Sequence, residues 1–100
     1  MRIVLARHGQ TASNAENRFQ GTLDIPLNAL GRKQAGQLAL LLARFEPGKL
    51  FTSDLTRTLQ TAEPTAKLLG LQPQVSPVFR EFSWGILEGL TWAQACERHP

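Results

Sequence analysis

The sequence is poor in several things that would direct its reading elsewhere. It has one cysteine, Cys96, so no disulfide can close within the chain, which fits a reducing, cytoplasmic setting. A lone cysteine near a helix reads as a small buried hydrophobe rather than a nucleophile. No apolar run approaches the roughly 20 residues of a membrane span, and a secretory leader is not expected, because polar residues follow Ala6 too soon. The 11 Lys and Arg residues are scattered, with no basic run and no aromatic interleaving, which argues against a nucleic-acid partner. No cluster of His, Cys and Asp has metal-ligand spacing, so neither metal nor other cofactor is expected. There is no internal repeat and no low-complexity tract.

What is present is enough for one domain of 100 residues, with 42% hydrophobic and 19% charged positions. The net charge of +3 suits an anionic substrate. Arg2 to Ala6 is short, apolar and β-branched, and reads as a buried parallel strand. Arg7 to Leu27 reads as a long irregular loop, a length that tends to be functional. Asn28 should cap a helix whose apolar face is Leu30, Leu38, Leu41, Leu42 and Phe45, stopped by Pro47-Gly48. Lys49 to Ser53 is a second strand. Ser53 and Asp54 should end it and cap a helix from about Leu55 to Leu69, with Gly70 closing the helix and Pro64 kinking or bounding it. Gln74 to Phe79 is a third strand, Glu81 to Gly89 a loop, and Thr91 the cap of a last helix ending near Pro100.

This order predicts an α/β fold with a parallel sheet, whose ligands bind at the carboxyl ends of the strands. Three strand ends then present Arg7-His8-Gly9, Ser53-Asp54 with Arg57, and Arg80-Glu81 to one edge. Two guanidiniums can clamp a phosphate with paired hydrogen bonds. A neutral imidazole can attack phosphorus and hold the phosphoryl group covalently. A glutamic acid can protonate the departing oxygen, and Gly9 lets backbone approach the phosphate. The flanking arginines favour the neutral histidine. Each of these residues also has a plainer reading as a solvated loop or helix side chain. Trp84 and Trp92 read as packing, and Glu88 reads equally as a supporting partner or a solvated carboxylate.

ARHGQT resembles the RHG[ED/Q]T signature of the histidine phosphatase superfamily, which includes cofactor-dependent phosphoglycerate mutase. NRFQGTLDIPLNALGRKQA, FTSDLTRTLQTA and VFREFSWGILEGLTWAQACERHP are similar to further family stretches, so the resemblance spans almost the whole chain. It implies a three-layer, phosphoglycerate mutase-like α/β fold with a mostly parallel sheet and its C-terminal part absent. Residues 1–100 would be the N-terminal portion of a single histidine phosphatase domain. By the same resemblance His8 matches the nucleophile, Arg7 and Arg57 the phosphate-clamping arginines, and Glu81 the proton donor. Asn14 matches a phosphate contact, and Gln20, Gly21 and Thr22 fall in a loop bordering the substrate. The family's second catalytic histidine, in an S-H-G or G-H-G motif, does not occur in these residues. His99 reads as surface or packing and does not take that role.

The resemblance implies a phosphomonoester hydrolase acting through phosphohistidine on a small phosphorylated metabolite. The alternatives are mutase-type transfer and a non-catalytic phosphate-binding fragment. Mutases tend towards a tyrosine-containing stretch after the glutamate, whereas this chain has no tyrosine and reads REFSWGILEGLTW, which favours the phosphatase branch. Alone, the piece is expected to be poorly active and to associate, with uncovered helix faces and a bare sheet edge.

Overall fold

Asn28 opens the longest helix by accepting the Gly31 amide on its side-chain oxygen at 2.8 Å. The helix that follows, Ala29–Ala43, is taken here as α2, since a single short turn, α1 (Ala12–Ala15), precedes it in this computed structural model of residues 2–100. The face of α2 that is buried is Gly31, Ala35 and Ala39, not the expected leucines: Leu30, Leu41 and Phe45 remain exposed. Small residues four apart form a stripe that lets another backbone approach closely. That stripe matters more here than bulk.

The neighbour is α3 (Thr56–Leu69), against which α2 packs along much of its length. Its buried positions, Arg57, Thr61 and Thr65, also recur every four residues. Gly70 closes α3 in the left-handed region at φ 65°. Pro64 lies inside α3 without ending it, so the expected boundary does not occur. Nor do Ser53 and Asp54 cap it. Its first residue is instead held by Asp24, from the long N-terminal loop, whose Oδ1 accepts the Thr56 amide at 2.6 Å and whose Oδ2 accepts the Thr56 hydroxyl at 3.1 Å.

The sheet is a parallel pair, β1 (Phe51–Thr52) and β2 (Gln74–Val75), in the register Phe51 with Gln74 and Thr52 with Val75. With α3 between them they form a β-α-β unit, so the α/β class holds. Both strands are shorter than expected. Pro77 cannot donate to a ladder, and Pro77–Phe79 instead winds into a 3₁₀ turn capped by Ser76. The expected strand at Arg2 to Ala6 does not form. A strand exists by pairing, and among the described residues these five have no ladder partner; Ile3 is 77% and Leu5 92% exposed.

The loop from Arg7 to Leu27 is less irregular than expected. Thr11 caps α1, a short helix that was not expected from sequence, in a reciprocal box with Asn14. The final helix, α4 (Trp92–Arg98), is capped by Thr91 with the same device, using Gln94. Cys96 lies exposed on α4, contrary to its reading as a buried hydrophobe: only Ala95 of that helix is buried. Among the described residues no helix is long and apolar enough to cross a membrane.

Asp24 thus acts as a cap supplied from outside the helix. Asp24→Ala should lower stability by about 1 kcal/mol, the usual worth of a helix N-cap. The midpoint of urea unfolding measures this, and an unchanged midpoint would mean that the start of α3 does not depend on Asp24.

Candidate active site

Residues 9 and 10 are fixed by four hydrogen bonds before any catalytic side chain is considered. The Gly9 amide donates to Thr61 Oγ1 at 3.0 Å, and the Gln10 amide to Gln34 Oε1 at 2.9 Å. The Asn28 amide donates to the Gln10 carbonyl at 3.0 Å, and Asn28 Nδ2 to Gln10 Oε1 at 3.0 Å. These bonds hold Gly9 and Gln10 against the start of α2 and against α3. A Cβ on Gly9 would run into the Gly31 carbonyl, and one on Gly31 into the Gln10 backbone. Gly9 is therefore required by helix contact, a different reason from the approach to phosphate expected from sequence.

His8 emerges from this pinned segment half-buried, between two cavities. The larger, about 370 Å³, is bounded by Arg7, His8, Asn14, Gln20 and Glu81, with Arg18, Phe19 and Trp84 completing its wall. A smaller one of about 250 Å³ lies on the other side of residues 7–9, against Ala35, Leu38 and Thr61. His8 Nδ1 is 2.6 Å from the Gly9 carbonyl. A carbonyl only accepts, so Nδ1 carries the hydrogen and Nε2 of the neutral ring keeps its lone pair. Burial is the main cause holding the His8 pKa below 6.5, with Arg57 and Arg7 adding to it; the Gly9 carbonyl and Glu81 pull the other way.

Arg57 is 0% exposed. Its two terminal nitrogens donate to the Leu23 and Gly21 carbonyls, and Nη2 also lies 3.4 Å from Glu81 Oε2. Its Nε has no partner among the described residues. Arg57 does not line the large cavity. It stands behind, joined to it through Glu81, which does. Arg80, next to Glu81, is held in a fork on Asp54, with Nε–Oδ1 at 2.6 Å and Nη2–Oδ2 at 2.8 Å. That fork keeps the Asp54 carboxyl below its ordinary pKa.

Of the residues singled out from sequence, Arg7, His8, Asn14, Gln20 and Glu81 meet on one cavity. Asn14 Oδ1 is occupied by the Thr11 amide at 3.0 Å, and Gln20 Oε1 accepts the buried Thr11 hydroxyl at 2.5 Å. Gly21 and Thr22, in the same loop as Gln20, do not line this cavity. The Gly21 carbonyl is engaged by Arg57, and the Thr22 amide and hydroxyl are both spent on Glu88. His99 is exposed at the end of α4, as expected.

Arg18, Phe19 and Trp84 were not singled out for the site. The signal for the first two was their place immediately before Gln20. Arg18 Nη1 donates to the Gly89 carbonyl at 2.9 Å and to Gln94 Oε1 at 3.0 Å. Backbone bonds from Phe19 N to Leu90 O at 2.8 Å and from Gly89 N to Phe19 O then zip the two loops together. Phe19 packs on Trp84, 5.0 Å between ring centres, which also walls the cavity, while Trp92, 6.1 Å from the same ring, stays largely exposed rather than packed.

The profile of the histidine phosphatase superfamily (branch 1) matches residues 3–100. A probable phosphoglycerate mutase, GpmB, of Escherichia fergusonii is 41% identical over 88% of this chain and 41% of its own length. The glucosyl-3-phosphoglycerate phosphatase of Mycobacterium tuberculosis is 42% identical over 93% of this chain and 42% of its own. A solved mycobacterial glucosyl-3-phosphoglycerate phosphatase, in complex with VO3, superposes with a TM-score of 0.89 at 40% identity, over 93% of this chain and 46% of that one. The chain thus spans about two fifths of the length of the curated relatives it matches. On the match to residues 3–100, the chain belongs to the histidine phosphatase superfamily, branch 1.

Proposed function

We propose that the protein is a phosphomonoester hydrolase working through phosphohistidine on a small phosphorylated metabolite, and that residues 1–100 form the N-terminal portion of a single histidine phosphatase domain. The observation that carries this reading is the His8 ring. Its Nδ1 is tied to the Gly9 carbonyl, and it sits beside a cavity of about 370 Å³ whose wall also holds Arg7 and Glu81. Similarity to a probable phosphoglycerate mutase and a glucosyl-3-phosphoglycerate phosphatase supports a phosphate ester as the substrate class.

In the first step His8 Nε2 attacks phosphorus, an N–P bond forms and the ester O–P bond breaks. The leaving oxygen takes a proton from the Glu81 carboxyl. In the second step Glu81, now ionised, takes a proton from water as its oxygen attacks phosphorus. The N–P bond breaks, and inorganic phosphate leaves a neutral imidazole behind. Arg7 and Asn14 hold the phosphoryl oxygens, with Gln20 bordering them. Arg57, buried behind the cavity and joined to it through Glu81, acts by its charge on the charge that spreads over the transferring group.

No second catalytic histidine is supplied by these residues, which favours weak turnover and makes the covalent step the one to measure. The alternative, a phosphate-binding unit without chemistry, is separated by the same measurement, and mutase-type transfer by the acceptor to which the phosphoryl group returns. The setting we infer is cytoplasmic, resting on the single cysteine. The bare apolar side chains at Ile3 and Leu5 support self-association.

Incubation of the full chain with a phosphate monoester should leave acid-labile, base-stable phosphate on His8, absent in His8→Ala. A chain that binds phosphate yet never carries this label is not a phosphatase of this type. Because burial and the two arginines depress the His8 pKa, the ring is neutral above that lowered value and loses its nucleophilic lone pair below it. The acid limb of phosphohistidine formation should therefore lie below pH 6.5; a limb above it would contradict the environment described for His8. Arg57→Ala should slow the step by about 10²–10³-fold, as for loss of one charge-stabilising donor. A change of less than about tenfold would remove Arg57 from the mechanism.

A further inference from the structure

Glu88 lies outside the cavity, yet four donors converge on one of its oxygens. Oε1 accepts the Thr22 amide at 3.0 Å, the Thr22 hydroxyl at 3.1 Å, the Trp84 amide at 3.2 Å and the Ser83 hydroxyl at 3.3 Å. These bonds hold the Glu88 carboxyl below its ordinary pKa, the Thr22 amide contributing most. Thr22 lies between Gly21 and Leu23, whose carbonyls receive the two terminal nitrogens of Arg57. Gly21 itself adopts φ +53°, and a Cβ there would strike the Glu88 carboxylate. Trp84, tethered to Glu88 together with Ser83, walls the cavity.

We infer that Glu88 is a positioning residue for Arg57. It fixes the backbone turn at 21–23, that turn fixes the guanidinium, and the guanidinium fixes Glu81. The same oxygen holds the loop carrying Trp84 against this turn, so one carboxylate sets both the back and the rim of the site. The effect on chemistry rests on the hydrolase reading above; the effect on Arg57 geometry does not. A solvated loop carboxylate would not gather four donors on one oxygen, and hydrogen bonding to backbone amides is the means by which a short turn is held in one conformation.

Three variants of the full chain test this, Glu88→Ala, Glu88→Gln and Glu88→Asp, with two measurements on each. The first is the NMR cross-peak of Arg57 Nε–Hε, assigned by its loss in Arg57→Lys. The second is the single-turnover rate of phosphohistidine formation from a phosphate monoester. In Glu88→Ala the cross-peak should shift and the rate should fall by about 10²-fold, the scale of an ångström-sized misplacement. Glu88→Gln keeps an acceptor oxygen at the same reach and should restore the cross-peak position and most of the rate, which a loss of bulk stability would not explain. If Glu88→Ala does not fold, Glu88→Asp, one methylene short of the four donors, should shift the cross-peak in the same sense. An unmoved cross-peak in a folded Glu88→Ala or Glu88→Asp overturns the inference, as does a Glu88→Gln no better than Glu88→Ala. If the unsubstituted chain forms no phosphohistidine, the hydrolase reading fails, and the cross-peak alone decides whether Glu88 positions Arg57.

Discussion

The contact between two glycine backbones, at Gly9 and Gly31, governs the rest of the molecule. It lets the segment after His8 lie directly on the start of α2, where Asn28 and Gln34 from that helix and Thr61 from α3 satisfy its polar groups. No side chain intervenes at the contact, so there is no rotamer to relax and little tolerance for a shift. The imidazole, one residue earlier in the chain, inherits that rigidity. Its Nδ1 is tied back to the Gly9 carbonyl, so the fixed backbone also decides which nitrogen faces outward.

The second organising feature is a buried cation met largely by backbone. Arg57 is fully buried on α3, and the nearest carboxylate, Glu81, is half-exposed at 3.4 Å. Burying a charge without partners is costly. Here the carbonyls of Gly21 and Leu23 take that role, and the price is a loop that must hold an unusual turn. The helix that carries Arg57 is itself started by Asp24, from the same loop. Helix and loop therefore specify each other: Asp24 fixes the first residue of α3, and the second residue of α3 fixes the carbonyls just before Asp24.

The parts of this arrangement that sequence made legible were those with local causes. Asn28, Thr91 and Gly70 mark helix ends by their own chemistry, and α2, α3 and α4 stand close to where they were expected. His8, Arg7 and Glu81 were found because three consecutive strand-like segments were each followed by polar groups. What sequence did not reveal depended on partners distant along the chain. The leucines of α2 are periodic, but the stripe that packs is glycine and alanine, because closeness to α3 decides burial. Arg2 to Ala6 has the composition of a buried strand, yet a strand needs neighbours to pair with. The cap on α3 comes from 32 residues away, beyond any local pattern. Gly21 and Thr22 belong to a loop next to the site, but their polar groups turn to Arg57 and Glu88.

The fixed segment is anchored on one flank only. From Gly9 onward the Gly9 amide and both backbone groups of Gln10 are engaged by Thr61, Gln34 and Asn28, whereas Ile3 and Leu5 are largely exposed and Arg2 to Ala6 have no ladder partner among the described residues. His8 stands at the junction of the two regimes. Torsional freedom arriving from the upstream side is thus stopped at a single peptide, so the ring is aimed from its downstream flank alone.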